Sequence, residues 1–291
     1  MYSVSAQTND VGIIKVPLNT TSNFSLDPEQ ICSTLSSNPQ IKMIYITSPG
    51  NPTANLIRKT DLLPLLNHPT WNGLVVLDEA YIDFSPPNSS LAEYVLEFPN
   101  LVVLQTLSKA FGLAGIRLGV AFAAPPVARL LNSLKAPYNI SNPTSELAQQ
   151  ALSPQGLAVM EGNVRQINSQ RQRLLEGMPR IPGVGRFLGG AEANFLLVEM
   201  LDSPGGRPSN EVALAVYERL AESRGVVVRF RGKEVGCLGC LRVTVGTEGE
   251  VTRFLRELES VLEEIYAGKG GRGIAEGEEV QKEREANDVV S

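Results

Sequence analysis

The stretch Leu101-Val-Val-Leu-Gln-Thr-Leu-Ser-Lys-Ala-Phe-Gly-Leu-Ala-Gly-Ile-Arg117 begins as a buried strand and ends in groups that can do chemistry. Residues 101–104 are continuously apolar, which is typical of a strand covered on both faces. Ser108 and Lys109 follow closely, and Arg117 lies eight residues beyond the lysine. An amine beside a hydroxyl and a guanidinium can bind a carbonyl compound that carries a phosphate. A solvated lysine on a loop is the alternative interpretation of this stretch alone.

Two earlier strands end in polar groups in the same manner. Residues 41–46 lead into Ser48-Pro-Gly-Asn-Pro-Thr53, and residues 74–77 lead into Asp78-Glu-Ala-Tyr81. Helices are predicted from Pro28, behind the cap residue Asp27, and over residues 60–66. Strands that alternate with helices and carry polar groups at their carboxyl ends predict an α/β fold with a mainly parallel sheet. The ligand site is then expected at that end of the sheet.

The pattern of elements predicts two domains and a tail. Residues 1–141 are predicted to form the large sheet domain, and residues 142–267 a smaller α+β domain with strands near 194–198, 225–230 and 240–245. Residues 268–291 are rich in glycine and charge, with almost no large apolar groups, which predicts a disordered tail. Residues 3–20 alternate loosely, which suggests short strand pieces with no helix leading in.

The composition argues against several classes of function. With 43% apolar and 20% charged residues this is an ordinary globular sequence, and a net charge of −5 gives no sign of nucleic-acid or membrane binding. No apolar run approaches the ~20 residues of a membrane-spanning helix, and the start does not read as a signal peptide. Three cysteines suit a reducing compartment, so a cytoplasmic enzyme is expected.

One histidine and one cysteine pair are further candidates for catalysis or metal binding. His68 is the single histidine, which excludes a multi-histidine metal site and, unless His68 itself serves, a Ser-His-Asp triad. We expect His68 on a surface loop. Cys237-Leu-Gly-Cys240 lacks a second ligand pair for zinc and precedes a strand rather than a helix. We therefore expect the pair to be structural and no metal to be bound.

The strand-end groups together match the needs of pyridoxal phosphate. This cofactor requires a lysine for an imine, a carboxylate for its protonated ring nitrogen, donors to its phenolate oxygen, and polar groups around its phosphate. Lys109 is the candidate for the imine, and Asp78 is the candidate for the ring nitrogen. Asn51 and Tyr81 are the candidates for the phenolate oxygen. Ser108 and Arg117 are the candidates for the phosphate, and Thr106 is also counted among the cofactor-binding residues. Alternatively, Asp78 could cap a helix, Tyr81 could be core and Asn51 could turn the chain. Their joint position at three strand ends favours the cofactor site.

Three of these segments resemble the fold-type I pyridoxal-phosphate-dependent aminotransferases: residues 48–53, 78–84 and 106–117. Four flanking stretches narrow the resemblance to the histidinol-phosphate aminotransferases: residues 1–6, 151–156, 192–195 and 239–246. The resemblance covers about residues 1–266. It implies a fold-type I large domain, incomplete at its N-terminus, followed by a small α+β C-terminal domain.

The resemblance also implies an activity. Family members carry out transamination between L-histidinol phosphate and 2-oxoglutarate, which gives imidazole-acetol phosphate and glutamate in histidine biosynthesis. Lys109 would form the Schiff base and move the proton between substrate and cofactor carbons. Arg242 matches the arginine that binds the substrate's phosphate, and Arg229, thirteen residues earlier, would be its partner. Exposed strand charge is the alternative for both arginines. A cytoplasmic homodimer is implied.

The sequence departs from the family pattern in places. Family members have about a hundred residues before the point that matches Met1, in line with usual domain sizes, so the chain is expected to lack an N-terminal part. Gly50 stands where asparagine is common, and Ala54 where glycine is common. The rival hypotheses are another fold-type I aminotransferase, a phosphate-amine decarboxylase of the same fold, and an inactive truncated remnant.

Overall fold

The chain folds into two compact units. A computed structural model describes the backbone of residues 2–288 and the side chains of residues 2–268. Unit 1 comprises residues 1–51 and 55–153, and unit 2 comprises residues 52–54 and 154–291. The boundary predicted from sequence lies earlier, at 141/142. The helix between the two positions groups with unit 1, where Thr144 Oγ1 donates to Ile116 O at 3.3 Å.

Unit 1 contains four strands and five α-helices within the described residues. In chain order they are α1 (Tyr2–Thr8), α2 (Pro28–Ser37), β1 (Met43–Thr47), α3 (Lys59–Leu66), β2 (Leu74–Asp78), β3 (Leu101–Thr106), β4 (Gly119–Ala123), α4 (Pro125–Ser133) and α5 (Asn142–Ala151). Short 3-10 turns lie at Thr20–Ser22, Ile82–Phe84, Ala92–Leu96 and Ala114–Ile116. The sheet order is β1-β2-β3-β4, with the first three strands parallel and β4 antiparallel. The predicted mainly parallel sheet is confirmed.

The central strands of unit 1 are held by apolar burial. The side chains that β2 and β3 contribute to the core of this unit are completely buried: Val75, Leu77, Leu101 and Val103. Helices α2 and α3 pack on this core, and α2 begins as predicted, since the Asp27 side chain accepts from Gln30 N at 3.0 Å. This burial holds in place the two strand ends that carry the candidate residues.

The first residues form a helix, so the predicted strand pieces and the predicted absence of a leading helix are wrong. α1 buries no residue, and Thr8 Oγ1 donates to Val4 O at 2.9 Å. The Tyr2 ring centroid lies 4.1 Å from that of Tyr45 on β1. Loose alternation leads to a strand only where a neighbouring strand takes up the backbone hydrogen bonds. Here the helix satisfies them locally.

Unit 2 is an α+β arrangement, in agreement with the predicted fold. Its elements are α6 (Pro154–Gly177), a 3-10 turn at Met178–Arg180, β5 (Val184–Leu188), β6 (Phe195–Met200), α7 (Asn210–Arg224), β7 (Arg229–Phe230), β8 (Cys240–Thr244) and α8 (Glu248–Asp288). The sheet order is β5-β6-β8-β7, with every pair antiparallel. The three helices share one apolar core with β6 and β8.

Two strands of unit 2 differ from the sequence prediction. β7 has two residues instead of the predicted span 225–230, because Gly225 ends α7 in the left-handed region at φ 61° and the next residues form the connection. β5 has no counterpart in the prediction, since Gly185 and Gly189 favour a loop. Its pairing with β6 is irregular between Val184 and Phe187.

The last helix continues in backbone to Asp288, beyond the end that its apolar pattern predicts at Tyr266. A disordered tail is predicted over residues 268–291. All of these residues except Gly268 lie outside the part of the chain whose side chains are described, so the disorder stays a prediction. Within the described part of the chain, we find no helix with the length and apolar character needed to cross a bilayer.

We expect Leu77→Ala to destabilise unit 1 strongly. Leu77 is 0% exposed in the central parallel strand, so its truncation leaves a cavity and costs about 2–5 kcal/mol of unfolding free energy. Leu96→Ala, at a leucine that is 89% exposed, is the control and should stay within about 0.5 kcal/mol of wild type. Urea denaturation followed by circular dichroism measures both, and equal effects of the two variants would contradict the assignment of the core.

Candidate active site

The three parallel strands of unit 1 bring their polar ends to one edge of the sheet. Asp78, the last residue of β2, pairs in register with Thr47 of β1 on one side and with Leu104 of β3 on the other. The hydrogen bonding continues past the strands, since Ser48 N donates to Asp78 O and Glu79 N donates to Leu104 O, both at 2.8 Å. The residues that follow each strand therefore leave the sheet from neighbouring positions.

Lys109, Tyr81 and Asp78 lie close together at this edge. Lys109 is exposed, and its Nζ lies 5.3 Å from the centroid of the Tyr81 ring. Burial raises the pKa of the Asp78 carboxyl, while a hydrogen bond from Ala80 N at 2.9 Å and the positive charge of Lys109 act in the opposite direction. The net effect is a raised pKa, so the folded chain partly desolvates a carboxylate beside its candidate lysine.

The hydroxyl groups of Thr106 and Ser108 contact each other in the turn just before Lys109. Thr106 Oγ1 lies 2.9 Å from Ser108 Oγ and accepts from Ser108 N at 3.1 Å. It also lies 3.2 Å from the carbonyl oxygen of Leu118, across the β3–β4 hairpin. These contacts place two hydroxyls at the carboxyl end of β3.

Arg117 stands opposite Ser108 on this hairpin in a strained conformation. Thr106 pairs with Gly119, and Leu107 N donates to Leu118 O at 3.4 Å, so Ser108 and Arg117 are the next residues outward. Arg117 has φ 56° and ψ 40°, a left-handed conformation that costs an ordinary residue about 1–2 kcal/mol. Strain of this kind is common at functional sites. The Arg117 side chain is exposed, and its Nη1 donates to Ala114 O at 3.2 Å.

Asn51 is exposed in the loop that follows β1, and this loop holds a second strained residue. Ala54 is completely buried with φ 53°, in the region that favours glycine. This is the position where the family resemblance leads one to expect glycine. The backbone at Ala54 thus has the conformation that glycine favours, although the residue is alanine.

The two arginines predicted to bind substrate lie in unit 2. Arg229 of β7 and Arg242 of β8 are direct partners in the antiparallel register. The guanidinium carbon of Arg242 lies 5.0 Å from the centroid of the Phe195 ring. Like charges directly opposite on neighbouring strands destabilise a sheet, and an anion between them would relieve the repulsion.

One acid at the site is absent from the sequence prediction. Glu79 is 1% exposed and accepts hydrogen bonds from Ser90 Oγ at 2.6 Å, Leu91 N at 2.7 Å and Gln105 Nε2 at 2.9 Å. The only available signal is a second acid directly after Asp78. Sequence alone does not tell a buried carboxylate from a solvated one at a strand end.

His68 and the cysteine pair make structural contacts. His68 lies in the loop between α3 and β2, as predicted, and is half-buried there; its Nδ1 accepts from Trp71 N at 3.0 Å and its Nε2 lies 3.3 Å from Cys32 O. Cys237 and Cys240 are buried free thiols, and the hydrogen bond between them lowers the pKa of Cys237 and raises that of Cys240. Among the described residues, no group of three or more potential ligands is placed to hold a metal ion.

Comparisons with known proteins show which family this chain is similar to. The model of the aminotransferase class I and II family matches residues 1–258. A histidinol-phosphate aminotransferase of Schizosaccharomyces pombe is 52% identical over 270 residues, which cover 92% of this chain and 70% of that protein.

Solved structures share the fold. The histidinol-phosphate aminotransferase from Clostridium acetobutylicum matches with a TM-score of 0.79 at 24% identity, over 90% of this chain and 75% of that one. The enzyme from Sinorhizobium meliloti, solved in complex with pyridoxal-5'-phosphate, matches with a TM-score of 0.77 at 22% identity, over 91% of this chain and 68% of that one.

Fold and family match together define a class I and II aminotransferase of fold type I. Since a relative that shares half of its residues spans nearly the whole chain, the chain belongs to the histidinol-phosphate aminotransferase family. The predicted family, fold class and enzyme class are confirmed. The roles of the individual site residues stay predictions.

We expect Asp78→Asn to stabilise the cofactor-free protein at neutral pH. A carboxyl whose pKa is higher in the folded state than its unfolded value of about 3.9 makes stability fall as pH rises through the window between the two. Asparagine keeps the acceptor for Ala80 N and does not titrate. The gain in unfolding free energy should therefore be absent at a pH below the pKa of Asp78 in the unfolded state, and complete at a pH above its pKa in the folded state.

Urea denaturation of cofactor-free protein at about pH 3 and about pH 7.5 checks this sign. Asp10→Asn, at an exposed aspartate, is the control and should give no comparable pH-dependent gain. An Asp78→Asn variant that is less stable than wild type at the higher pH would contradict the desolvation of Asp78.

Proposed function

We propose that this chain binds pyridoxal phosphate at the carboxyl edge of the unit 1 sheet and catalyses transamination between L-histidinol phosphate and 2-oxoglutarate. The products are imidazole-acetol phosphate and glutamate, a step of histidine biosynthesis. The observation that carries the proposal is the Lys109 amine, 5.3 Å from the Tyr81 ring, with its charge acting on the half-buried Asp78 carboxyl. Family membership supports the same reaction.

The residues at this edge fit the cofactor. The donor set combines an exposed amine, a desolvated carboxylate, a phenol, two hydroxyls and a guanidinium, which are the groups that pyridoxal phosphate needs. When bound, the cofactor supplies an electron sink that allows the amino group to be exchanged. Asp78 is suited to a protonated ring nitrogen, because a cation placed against a desolvated carboxylate lowers the pKa that burial has raised.

The remaining residues hold the cofactor and move protons. Lys109 Nζ would bind the cofactor aldehyde, and once the substrate's amine has displaced it, the freed lysine amine would carry the proton that the substrate carbon loses. Asn51 and Tyr81 would donate to the phenolate oxygen. Thr106, Ser108 and Arg117 would donate hydrogen bonds to the cofactor phosphate. Charge-assisted bonds of this type are about twice as strong as neutral ones.

In unit 2, Arg229 and Arg242 are proposed to bind the substrate's phosphate. Their direct pairing across β7 and β8 gives two guanidinium groups at neighbouring positions, as a clamp for one dianion requires. A rival enzyme of the same fold, such as a phosphate-amine decarboxylase, would use the same pair for a different phosphate. We further propose a cytoplasmic homodimer acting on small molecules, on the family resemblance.

We expect Lys109→Ala to abolish covalent attachment of pyridoxal phosphate and to lower kcat by at least about 100-fold, since both the binding amine and the proton carrier are lost. The protein is incubated with the cofactor, reduced with borohydride and mapped by peptide mass spectrometry. Lys135→Ala removes an exposed lysine and is the control. A label on another lysine, or no label on wild type, would count against the cofactor site. A label at Lys109 without turnover would favour an inactive remnant.

We expect Arg242→Gln and Arg229→Gln each to raise KM for histidinol phosphate about 10- to 100-fold, the equivalent of one hydrogen bond between charged groups. The KM for histidinol, which has no phosphate, should change little. Arg207→Gln alters an exposed arginine of the same unit and serves as control. An equal rise in KM for histidinol phosphate and for histidinol would contradict binding of the phosphate by these arginines. Faster turnover of threonine phosphate or phenylalanine would favour the rival enzymes.

A further inference from the structure

The buried glutamate next to Asp78 has no role in the chemistry described above. Glu79 is 1% exposed, and within the described residues no ion pair joins it to a cation. A buried carboxylate without such a partner is costly unless neutral donors surround it. Here one oxygen accepts from Leu91 N, and the other accepts from Ser90 Oγ and Gln105 Nε2.

The three donors come from two separate segments of the chain. Ser90 and Leu91 precede the short 3-10 turn Ala92–Leu96, whereas Gln105 belongs to β3 and directly precedes Thr106. Gln105 Nε2 also lies 3.1 Å from Ser90 Oγ, so the donors are linked to one another. Glu79 thus ties the end of β2 to the end of β3 and to the segment packed beside them.

The register places this link opposite the candidate site. Asp78 pairs with Leu104, and successive side chains of a strand point to opposite faces. Glu79 and Gln105 therefore share one face, while Asp78 shares the other with Leu104 and Thr106. The side chains proposed to meet the cofactor lie on one face of these two strand ends, and the hydrogen-bonded link that joins the strands lies on the opposite face.

We propose that Glu79 is a positioning residue, which through Gln105 fixes the spacing between Asp78 at the end of β2 and the Thr106–Lys109 segment after β3. The inference rests on the proposed function, because the groups it positions are those proposed to bind the cofactor. Loss of any one of the three hydrogen bonds leaves the buried carboxylate incompletely paired, which is costly. The link therefore resists distortion. A catalytic constellation needs such support to within about 0.5 Å.

Two variants remove the link in different ways. Glu79→Gln removes the charge and sets an amide against the donor of Gln105, whereas Gln105→Met removes the donor at similar size and leaves the charge in place. Glu93→Gln makes the same chemical change at an exposed glutamate of the neighbouring turn and is the matched control. Melting temperatures and circular dichroism verify that each protein is folded.

The first readout needs no cofactor. The Asp78 carboxyl is titrated by carbon-13 NMR in apo protein and assigned with Asp78→Asn. We expect its pKa to move toward the ordinary value of about 3.9 in both link variants, because looser strand ends admit water to Asp78. If the pKa of Asp78 moves in Glu79→Gln but not in Gln105→Met, then Glu79 acts on Asp78 only through its charge, and the proposal is overturned.

The second readout is the dissociation constant of pyridoxal phosphate, measured by absorbance titration. We expect about a tenfold increase in each single variant and no further increase in the double variant, as for two residues that act through one contact. Lower melting temperatures with wild-type affinity and a wild-type Asp78 titration would leave Glu79 a purely structural residue. If wild type binds no cofactor, the proposed function fails, and the apo titration still decides whether Glu79 positions Asp78.

Discussion

The parallel pairing of β1, β2 and β3 is the constraint on which the candidate site depends. Residues far apart in sequence meet only because all three carboxyl ends reach the same edge, with Asp78 in register with Thr47 and Leu104. The pairing is stabilised by burial of the apolar strand residues and continues one residue past β1 and past β2. The site thus inherits its geometry from the core, although none of its candidate residues in unit 1 is fully buried.

The two units stabilise a buried glutamate in different ways. Glu199 of β6 is 4% exposed and pairs with Arg186, whose guanidinium lies 2.8 Å away and largely in solvent. Glu79 is held by neutral donors instead. Neutral donors therefore hold the end of β2 without an ion pair.

Two of the non-glycine residues with a left-handed backbone conformation lie beside candidate site residues. Arg117 and Ala54 both have left-handed φ values, which each cost about 1–2 kcal/mol outside glycine. One is a candidate phosphate ligand at the mouth of the β3–β4 hairpin, and the other is buried in the loop after Asn51. Such conformations are expected where the direction of a side chain or loop matters more than local stability.

Much of the site could be predicted from the sequence, because its signals are local. An apolar run identifies each parallel strand of unit 1, the polar residues after it mark the ligand edge, and the motif around Lys109 indicates the family. Tertiary structure alone decided the strand Val184–Leu188, the register of Arg229 with Arg242, and the burial of Glu79 against Gln105. Each of these depends on what packs against or pairs with a segment. A sequence pattern records which side chains prefer burial, whereas the partner that buries them or bonds to them lies elsewhere in the chain.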